Sequence, residues 1–327
     1  MAEIQHTETH YDIRPEAVDF PMMCVLGLVY VCNARCPNCP YTNSTIRQDY
    51  RDRPFMWEET FKIIADQCGP HRAWIRLSGG GEPMLHPKAV ELIEYAKAKG
   101  ARIGLITNGS CFTDESIKRL LACGIDMVEF SVDAGDPETY NLVRPGLHWP
   151  KLLDTVAAFI KERNRLGGPT KIIGSGINQQ GVDLEKIAAF WEPLVDVFQK
   201  RKYLTWSINE DHSADPTPYL PPEEHIPCPF LFERLNIDAR GKVVVCGFDI
   251  RAVTDFGNVH DKTIAEIWKG RGFEYFRQKH LERRGNDIPL CRTCPDWKYR
   301  SWKHNYWKIV KNAEETRRTK TLSEPET

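Results

Sequence analysis

From residue 24 to about residue 208, short apolar runs alternate with segments of helical periodicity. The runs at 24–31, 73–77, 102–106, 127–132, 171–177 and 203–208 predict strands, and 57–68, 87–99, 113–123, 149–165 and 183–191 predict helices between them. In the first helix Trp57, Phe61, Ile64 and Cys68 fall on one face. Pro87 opens the second and Gly100 follows it, while Thr113 and Gly124 bracket the third as N-cap and C-cap. Six strands alternating with helices predict an α/β fold with parallel strands and right-handed crossovers. Six units fall short of a closed eight-stranded barrel, so the expected architecture is a partial (β/α)6 barrel.

The texture then changes. DHSADPTPYLPPEEHIP at 211–227 is rich in proline and polar residues and reads as a linker. ERLNID, a turn at Ala239-Arg240-Gly241 and KVVVC then predict a β-hairpin. A helix pattern follows over 263–280, weakened in its middle by Gly270 and Gly272. Trp302, Tyr306, Ile309 and Val310 recur at helical spacing before a polar tail. The expected organisation is an extension over 1–22, a barrel over 23–210, a small β-hairpin and helix domain over 211–297, and a terminal helix and tail over 298–327.

Charge narrows the function classes. The 44 basic and 45 acidic residues leave a net charge of −1, which gives no support for a nucleic-acid partner. The longest apolar run, 20–32, is short of the roughly 20 residues that span a membrane, and the acidic segment before it is not a signal peptide. A cytoplasmic, reducing location is expected. There the 11 cysteines read as metal ligands and spare thiols, not as disulfides.

Seven of them fall into two sets. Cys32, Cys36 and Cys39 form C-x3-C-x2-C just beyond the first strand. Three thiolates on one loop can hold three irons of a [4Fe–4S] cluster and leave the fourth open. Zinc is the alternative, but a structural zinc site takes four protein ligands, and no fourth Cys or His follows closely. Cys228, Cys246, Cys291 and Cys294 supply four thiolates, enough to close a zinc site or a second [4Fe–4S] cluster. Cys24, Cys68 and Cys123 fall where core packing is expected.

CNARCPNC resembles the signature of the radical S-adenosylmethionine (SAM) superfamily. SGGGEP at 78–83, ITNG at 106–109, FSVD at 130–133 and YNLVRPG at 140–146 resemble the motifs that follow in that family, each from the second to the fourth strand's C-terminal end. The resemblance implies two [4Fe–4S] clusters, one binding SAM and one auxiliary. It implies SAM contacts from Asn38, Gly80, Gly81, Glu82, Asn108, Ser131, Arg144 and Ile177. Asn38 stands where family members commonly carry an aromatic residue, so only its backbone is expected to contribute. The C-terminal set, with CPF, IDARGKVVVCGFD, GNV, IAEIW and CRTC, resembles the SPASM extension of such enzymes in its shortened twitch form. PDWKYRSWKHNYWK beyond CRTC contains no further cysteine, which points to one auxiliary cluster with four protein ligands. The layout is similar to that of 2-deoxy-scyllo-inosamine dehydrogenases.

The implied activity is radical SAM oxidoreduction. Reductive cleavage of SAM gives a 5′-deoxyadenosyl radical, which takes hydrogen from a small polar substrate such as a sugar or aminocyclitol, and the auxiliary cluster accepts an electron. Carbohydrate epimerisation and peptide maturation are the alternatives within the family, and a zinc-stabilised binding protein is the alternative outside it. An external one-electron reductant of flavodoxin or ferredoxin type is implied, and the substrate is a small molecule or short peptide. Cys111 is a candidate hydrogen donor, and Asp133 and Glu210 are candidate proton or substrate groups.

Overall fold

The computed structural model describes residues 17–42, 44–206, 212–214, 227–292 and 294. Strands β1 (Met23–Leu26), β2 (Trp74–Leu77), β3 (Arg102–Thr107), β4 (Met127–Ser131) and β5 (Lys171–Asn178) lie on or beside the predicted runs. Each pairs in parallel with the next. The sixth strand is a correction: β6 is Val197–Lys202, parallel to β5, and 203–206 forms no strand. Its sequence, VFQKRK, puts Gln199 and Arg201 along a cavity. Phe198 points the other way, where Gly174 and Gly176 leave room for its ring. A strand with a polar inner face carries no apolar run to detect.

The predicted helices form as α2 (Glu58–Cys68), α3 (Ala89–Ala98), α4 (Asp114–Ala122), α6 (Trp149–Leu166) and α7 (Leu184–Trp191). Two short ones are additional: α1 (Ser44–Asp49) and α5 (Pro137–Val143), the second started by Asp136, whose carboxylate accepts the Thr139 N–H at 2.7 Å. Helix α2 buries Phe61, Ile64, Ala65 and Cys68, but Trp57 sits at its N-cap, 55% exposed beneath the Arg53 guanidinium. Outside the sheet, α3, α4, α6 and α7 bury Ile93, Leu120, Phe159 and Trp191 in one core.

The C-terminal hairpin does not stand apart. Strand β7 (Arg234–Ile237) pairs in parallel with β1, and β8 (Val243–Val244) pairs antiparallel with β7. One eight-stranded sheet results, in the order β6-β5-β4-β3-β2-β1-β7-β8. Gly241 makes the turn at φ +80°, a conformation that favours glycine. The helical stretch after it divides at Gly270 into α9 (Ile264–Trp268) and α10 (Arg271–Leu281), with α8 (Phe230–Glu233) before and α11 (Pro289–Arg292) after. The Ile264 N–H donates to Gln67 of α2 at 2.7 Å, and the Trp268 indole to the Ala17 carbonyl at 2.6 Å. Direct protein contacts therefore bind this region to the barrel.

The inner face of the sheet is layered. At the strands' N-terminal ends Met23, Trp74, Met127 and Ile173 form a small apolar cluster. Two residues further along each strand, on the same face, the side chains are Val25, Arg76, Glu129 and Ser175. The apolar layer closes one end, and the polar residues open toward the C-terminal ends. Among the described residues, no helix is long and apolar enough to cross a membrane.

One buried ion pair gives a stability prediction. Arg163 of α6 donates to Asp196 and to the Thr170 carbonyl, and Asp196 also accepts the Ile172 N–H at 2.7 Å. Asp196→Ala would leave a buried guanidinium uncompensated, at a cost of about 3–5 kcal/mol. A lowered urea midpoint is the expected readout.

Candidate functional site

The C-terminal ends of the strands open into a cavity of about 900 Å3. Its lining includes Cys32, Cys36, Asn38, Cys39, Gly80, Gly81, Glu82, Asn108, Ser131, Asp133, Arg144, Ile177 and Cys246. Residues scattered over more than 200 positions thus meet at one end of the sheet, where α/β folds carry their sites.

The loop from Cys32 to Cys39 is folded by its own backbone. The Cys39 N–H donates to the Cys36 carbonyl at 3.1 Å, and the Thr42 hydroxyl to the same carbonyl at 2.9 Å. The Ala34 N–H reaches Cys32 Sγ at 3.4 Å, and an Arg144 guanidinium N–H reaches Cys36 Sγ at 3.3 Å. Burial pushes the Cys32 thiol up to about 11 and raises Cys39 as well. Such thiols become ligands only to a cation strong enough to displace their protons. A cubane cluster gives each thiolate its own iron, so its ligands stand further apart than those of a single ion. Among the described residues, no three His, Cys, Asp or Glu close on one point. N–H donors aimed at sulfur are the usual support of iron–sulfur ligands, and the donor set fits a cluster.

Glu82 follows β2 and is 2% exposed. Its carboxylate accepts from the Asn108 N–H and the Thr107 hydroxyl, each at 2.7 Å, and from the Met84 N–H at 3.1 Å. Burial raises its pKa against the pull of these donors. A carboxylate has about four acceptor positions, so one remains for a cationic amine. The glycines before it have a second use. A Cβ on Gly80 would stand 2.2 Å from the Val29 carbonyl oxygen, and one on Gly81 1.9 Å from that of Val31. They let the loop press against the chain leaving β1, in addition to any approach to a ligand.

Asp133 stands two residues beyond β4 with φ +48°, a left-handed conformation that aspartate tolerates better than most residues. One carboxylate oxygen accepts the Ile177 N–H at 2.9 Å and the other pairs with Arg144. Burial works against the Arg144 charge, but Asp133 and Cys36 outweigh it and hold the guanidinium firmly protonated. Arg144 Nε is buried without a hydrogen-bond partner, a donor suited to an incoming carboxylate. Asn108 is committed elsewhere: its amide donates to Asn33 at 2.9 Å and its oxygen accepts from Ser110. Ser131, Ile177 and Asn38 line the cavity half-buried.

Cys111 is not among the lining residues. It lies beside Ser110 Oγ at 3.3 Å, half-buried, with burial raising its thiol. Glu210 lies outside the described residues, as do Trp302, Tyr306 and the terminal segment. Cys24 and Cys68 meet in the core with sulfurs 3.6 Å apart.

Of the second set, Cys246 lines the cavity, while Cys228 and Cys291 pack with Leu231, Val245, Phe276 and Ile288 behind it. The Cys294 N–H donates to the Cys291 carbonyl at 3.2 Å, the same turn as Cys36–Cys39. His280, which sequence reasoning did not single out, joins two of them. Its Nδ1 accepts the Cys228 N–H at 3.3 Å, and its Nε2 lies 3.4 Å from Cys291 Sγ. His280 carries no recognisable ligand spacing, so only the fold identifies it.

Comparison with known proteins agrees with this geometry. The model of the radical SAM superfamily matches residues 28–190, and that of the SPASM iron-sulfur cluster-binding domain matches residues 228–295. The tungsten-containing aldehyde ferredoxin oxidoreductase cofactor-modifying protein of Pyrococcus furiosus is 25% identical over 312 residues, covering 80% of this chain and 84% of its own. Among solved structures, BtrN in complex with AdoMet and 2-DOIA superposes with a TM-score of 0.56 at 16% identity, covering 84% of this chain and 92% of that one. Streptococcus suis SuiB bound to precursor peptide SuiA gives 0.66 at 13% identity, covering 94% and 75%. These two show the shared fold.

Proposed function

We propose, from the premise that this chain is a radical SAM enzyme with a C-terminal SPASM domain, that it dehydrogenates a small polar substrate held in the barrel cavity. When bound, SAM and its [4Fe–4S] cluster would supply hydrogen abstraction from an unactivated carbinol C–H bond and the auxiliary cluster a one-electron acceptor, the hydroxyl proton leaving to solvent.

The observation that carries the reading is the continuity of one cavity from the Cys32–Cys39 loop, past Glu82 and Arg144, to Cys246. Cys32, Cys36 and Cys39 hold the SAM cluster. Glu82 accepts from the SAM amine, and Arg144 pairs with its carboxylate. Asp133 is a positioning residue: it fixes Arg144 and the end of β5 through Ile177. Gly80, Gly81, Asn108, Ser131, and the backbone of Asn38 and Ile177, border the rest of SAM. Cys228, Cys246, Cys291 and Cys294 hold the auxiliary cluster, with Cys246 on the substrate side.

The cavity's volume suits a small molecule. The Pyrococcus furiosus relative is described as modifying a cofactor, which is consistent with a non-peptide substrate. Epimerisation needs a hydrogen donor in the cavity, and Cys111 stands outside its lining.

The test uses sugars or aminocyclitols deuterated at the carbinol carbon. Dehydrogenation places that deuterium in 5′-deoxyadenosine and leaves a ketone. Solvent deuterium at an inverted carbon, after reaction in deuterated water, would instead establish epimerisation. Cys294→Ala is expected to lower iron from about eight to about four per chain and stop ketone formation while SAM cleavage continues.

A further inference from the structure

We infer that His280 is a positioning residue for the electron-transfer half of the reaction: its Nε2–H donates to the sulfur of Cys291 and so raises the reduction potential of the auxiliary cluster. This rests on reading Cys228, Cys246, Cys291 and Cys294 as that cluster's ligands, and it adds a control on the potential that holding a cluster does not require.

His280 lies in the last turn of α10. The chain bends back just after it. Arg283 takes a left-handed φ of +58°, and its N–H donates to the His280 carbonyl at 3.1 Å. A 3-10 turn over Gly285–Asp287 then leads into α11, which carries Cys291. Asp287 ties the turn back to α10 by accepting from Lys279 at 3.0 Å, and the Arg292 guanidinium of α11 donates to the Asn286 carbonyl at 2.8 Å. The imidazole fits against this turn because residue 285 is glycine. A Cβ there would stand 3.1 Å from the ring's Cε1, 3.2 Å from Nε2 and 3.3 Å from Nδ1. The local fold thus fixes where the two ring nitrogens point.

They meet two of the four cysteines. The Cys228 N–H donates to Nδ1 at 3.3 Å. A backbone N–H can only donate, so Nδ1 offers its lone pair and the proton of the neutral imidazole sits on Nε2. Nε2 lies 3.4 Å from Cys291 Sγ, within the longer reach of a hydrogen bond to sulfur. With that proton in place Nε2 has no lone pair to give an iron. The ring is therefore a donor to the ligand set and not a fifth member of it. Leu231, Val245, Phe276 and Ile288 pack with Cys228 and Cys291, and a hydrogen bond is electrostatically stronger in such surroundings than in water.

A hydrogen bond to a ligating sulfur strengthens when the cluster gains an electron, because the sulfurs share the added negative charge. The reduced form is favoured and the potential rises. That suits an acceptor. As the substrate's carbinol C–O bond becomes C=O, one hydrogen atom goes to the SAM-derived radical and the hydroxyl proton to solvent. One electron remains, and it reduces the auxiliary cluster.

The test is a redox titration of reconstituted holoenzyme followed by electron paramagnetic resonance. The Cys36→Ala chain, which keeps only the auxiliary cluster, identifies the auxiliary signal. His280→Leu should shift the auxiliary equilibrium about tenfold toward the oxidised form, a fall of about 59 mV for one electron, and leave the potential of the SAM cluster unchanged. His280→Gln keeps an N–H donor near the Nε2 position and should restore most of the potential. His280→Asn keeps an acceptor for the Cys228 N–H but is too short to reach Cys291, so it should behave as His280→Leu does. Should His280→Leu lose its fold, the difference between Gln and Asn still decides. An auxiliary potential unchanged in His280→Leu, or restored by Asn as fully as by Gln, overturns the inference and leaves His280 a structural link between two loops. Loss of about four of eight irons in all three variants overturns it too, by making the ring part of what holds the cluster. A wild-type chain with about four irons and no auxiliary signal would instead overturn the reading of the second cysteine set, so the two failures are distinct.

Discussion

Cys36→Ala abolishes 5′-deoxyadenosine formation and lowers iron from about eight to about four per chain. The loss is expected to reach roughly three orders of magnitude or more, because three ligands act as a unit and removal of one forfeits nearly the whole effect. Cys36 is the sharpest of the three to test. It is 4% exposed, and its sulfur accepts from Arg144, which Asp133 in turn fixes. The substitution therefore removes an iron ligand and the partner of a buried guanidinium together. Cys68→Ala is the matched control. That thiol is equally buried but faces Cys24 in the core. It should cost stability, about 1–3 kcal/mol for a small core deletion, and leave iron content and 5′-deoxyadenosine intact. Equal loss of iron in both variants would mean that the loop does not hold a cluster.

Gly81→Ala is expected to be the most damaging single methyl group in the barrel. The added Cβ would lie 1.9 Å from the Val31 carbonyl oxygen, 2.6 Å from its carbon and 2.9 Å from its nitrogen. All three are backbone atoms, so no side-chain rotation relieves the contact. The cost should reach about 3 kcal/mol or more, the upper range for overpacking. The nearby Glu82 N–H donates to that same Val31 carbonyl at 3.0 Å, so a shift there moves the carboxylate proposed to hold the SAM amine. Thermal unfolding and SAM calorimetry should both register the change. Gly79→Ala separates crowding from backbone strain. Its φ is +95°, yet nothing lies nearer its Cβ position than Tyr41 Oη at 3.9 Å. Its penalty should stay near the 1–2 kcal/mol of left-handed backbone.

The two substitutions also mark how far the sequence could be read. The SGGGEP stretch points to a site only through its resemblance to the family motif, and Glu82 follows β2 on the lining of the cavity. The pressure of Gly80 and Gly81 against Val29–Val31 depends on two loops meeting, and no local pattern reports it. Strands β1 to β5 were legible because both of their faces are largely buried and their residues run apolar. β6 was not, because its inner residues serve the cavity. The hairpin was legible from its turn at Gly241. Its pairing with β1, some 200 residues away, left no trace in either segment. The first cysteine set stood out by its spacing; the second was read through its resemblance to the SPASM extension, because its spacing alone favours zinc. His280 was hidden because it joins residues from separate elements.

The central claim is that three cysteines, Glu82 and Arg144 form a SAM-cleaving site. The direct measurement supplies anaerobically reconstituted protein with SAM and a one-electron reductant and quantifies 5′-deoxyadenosine. The account predicts its formation together with equimolar methionine, and a large loss of SAM affinity in Glu82→Gln, about tenfold or more for one charge-assisted hydrogen bond. A reconstituted chain with about eight irons that forms no 5′-deoxyadenosine under these conditions would contradict it.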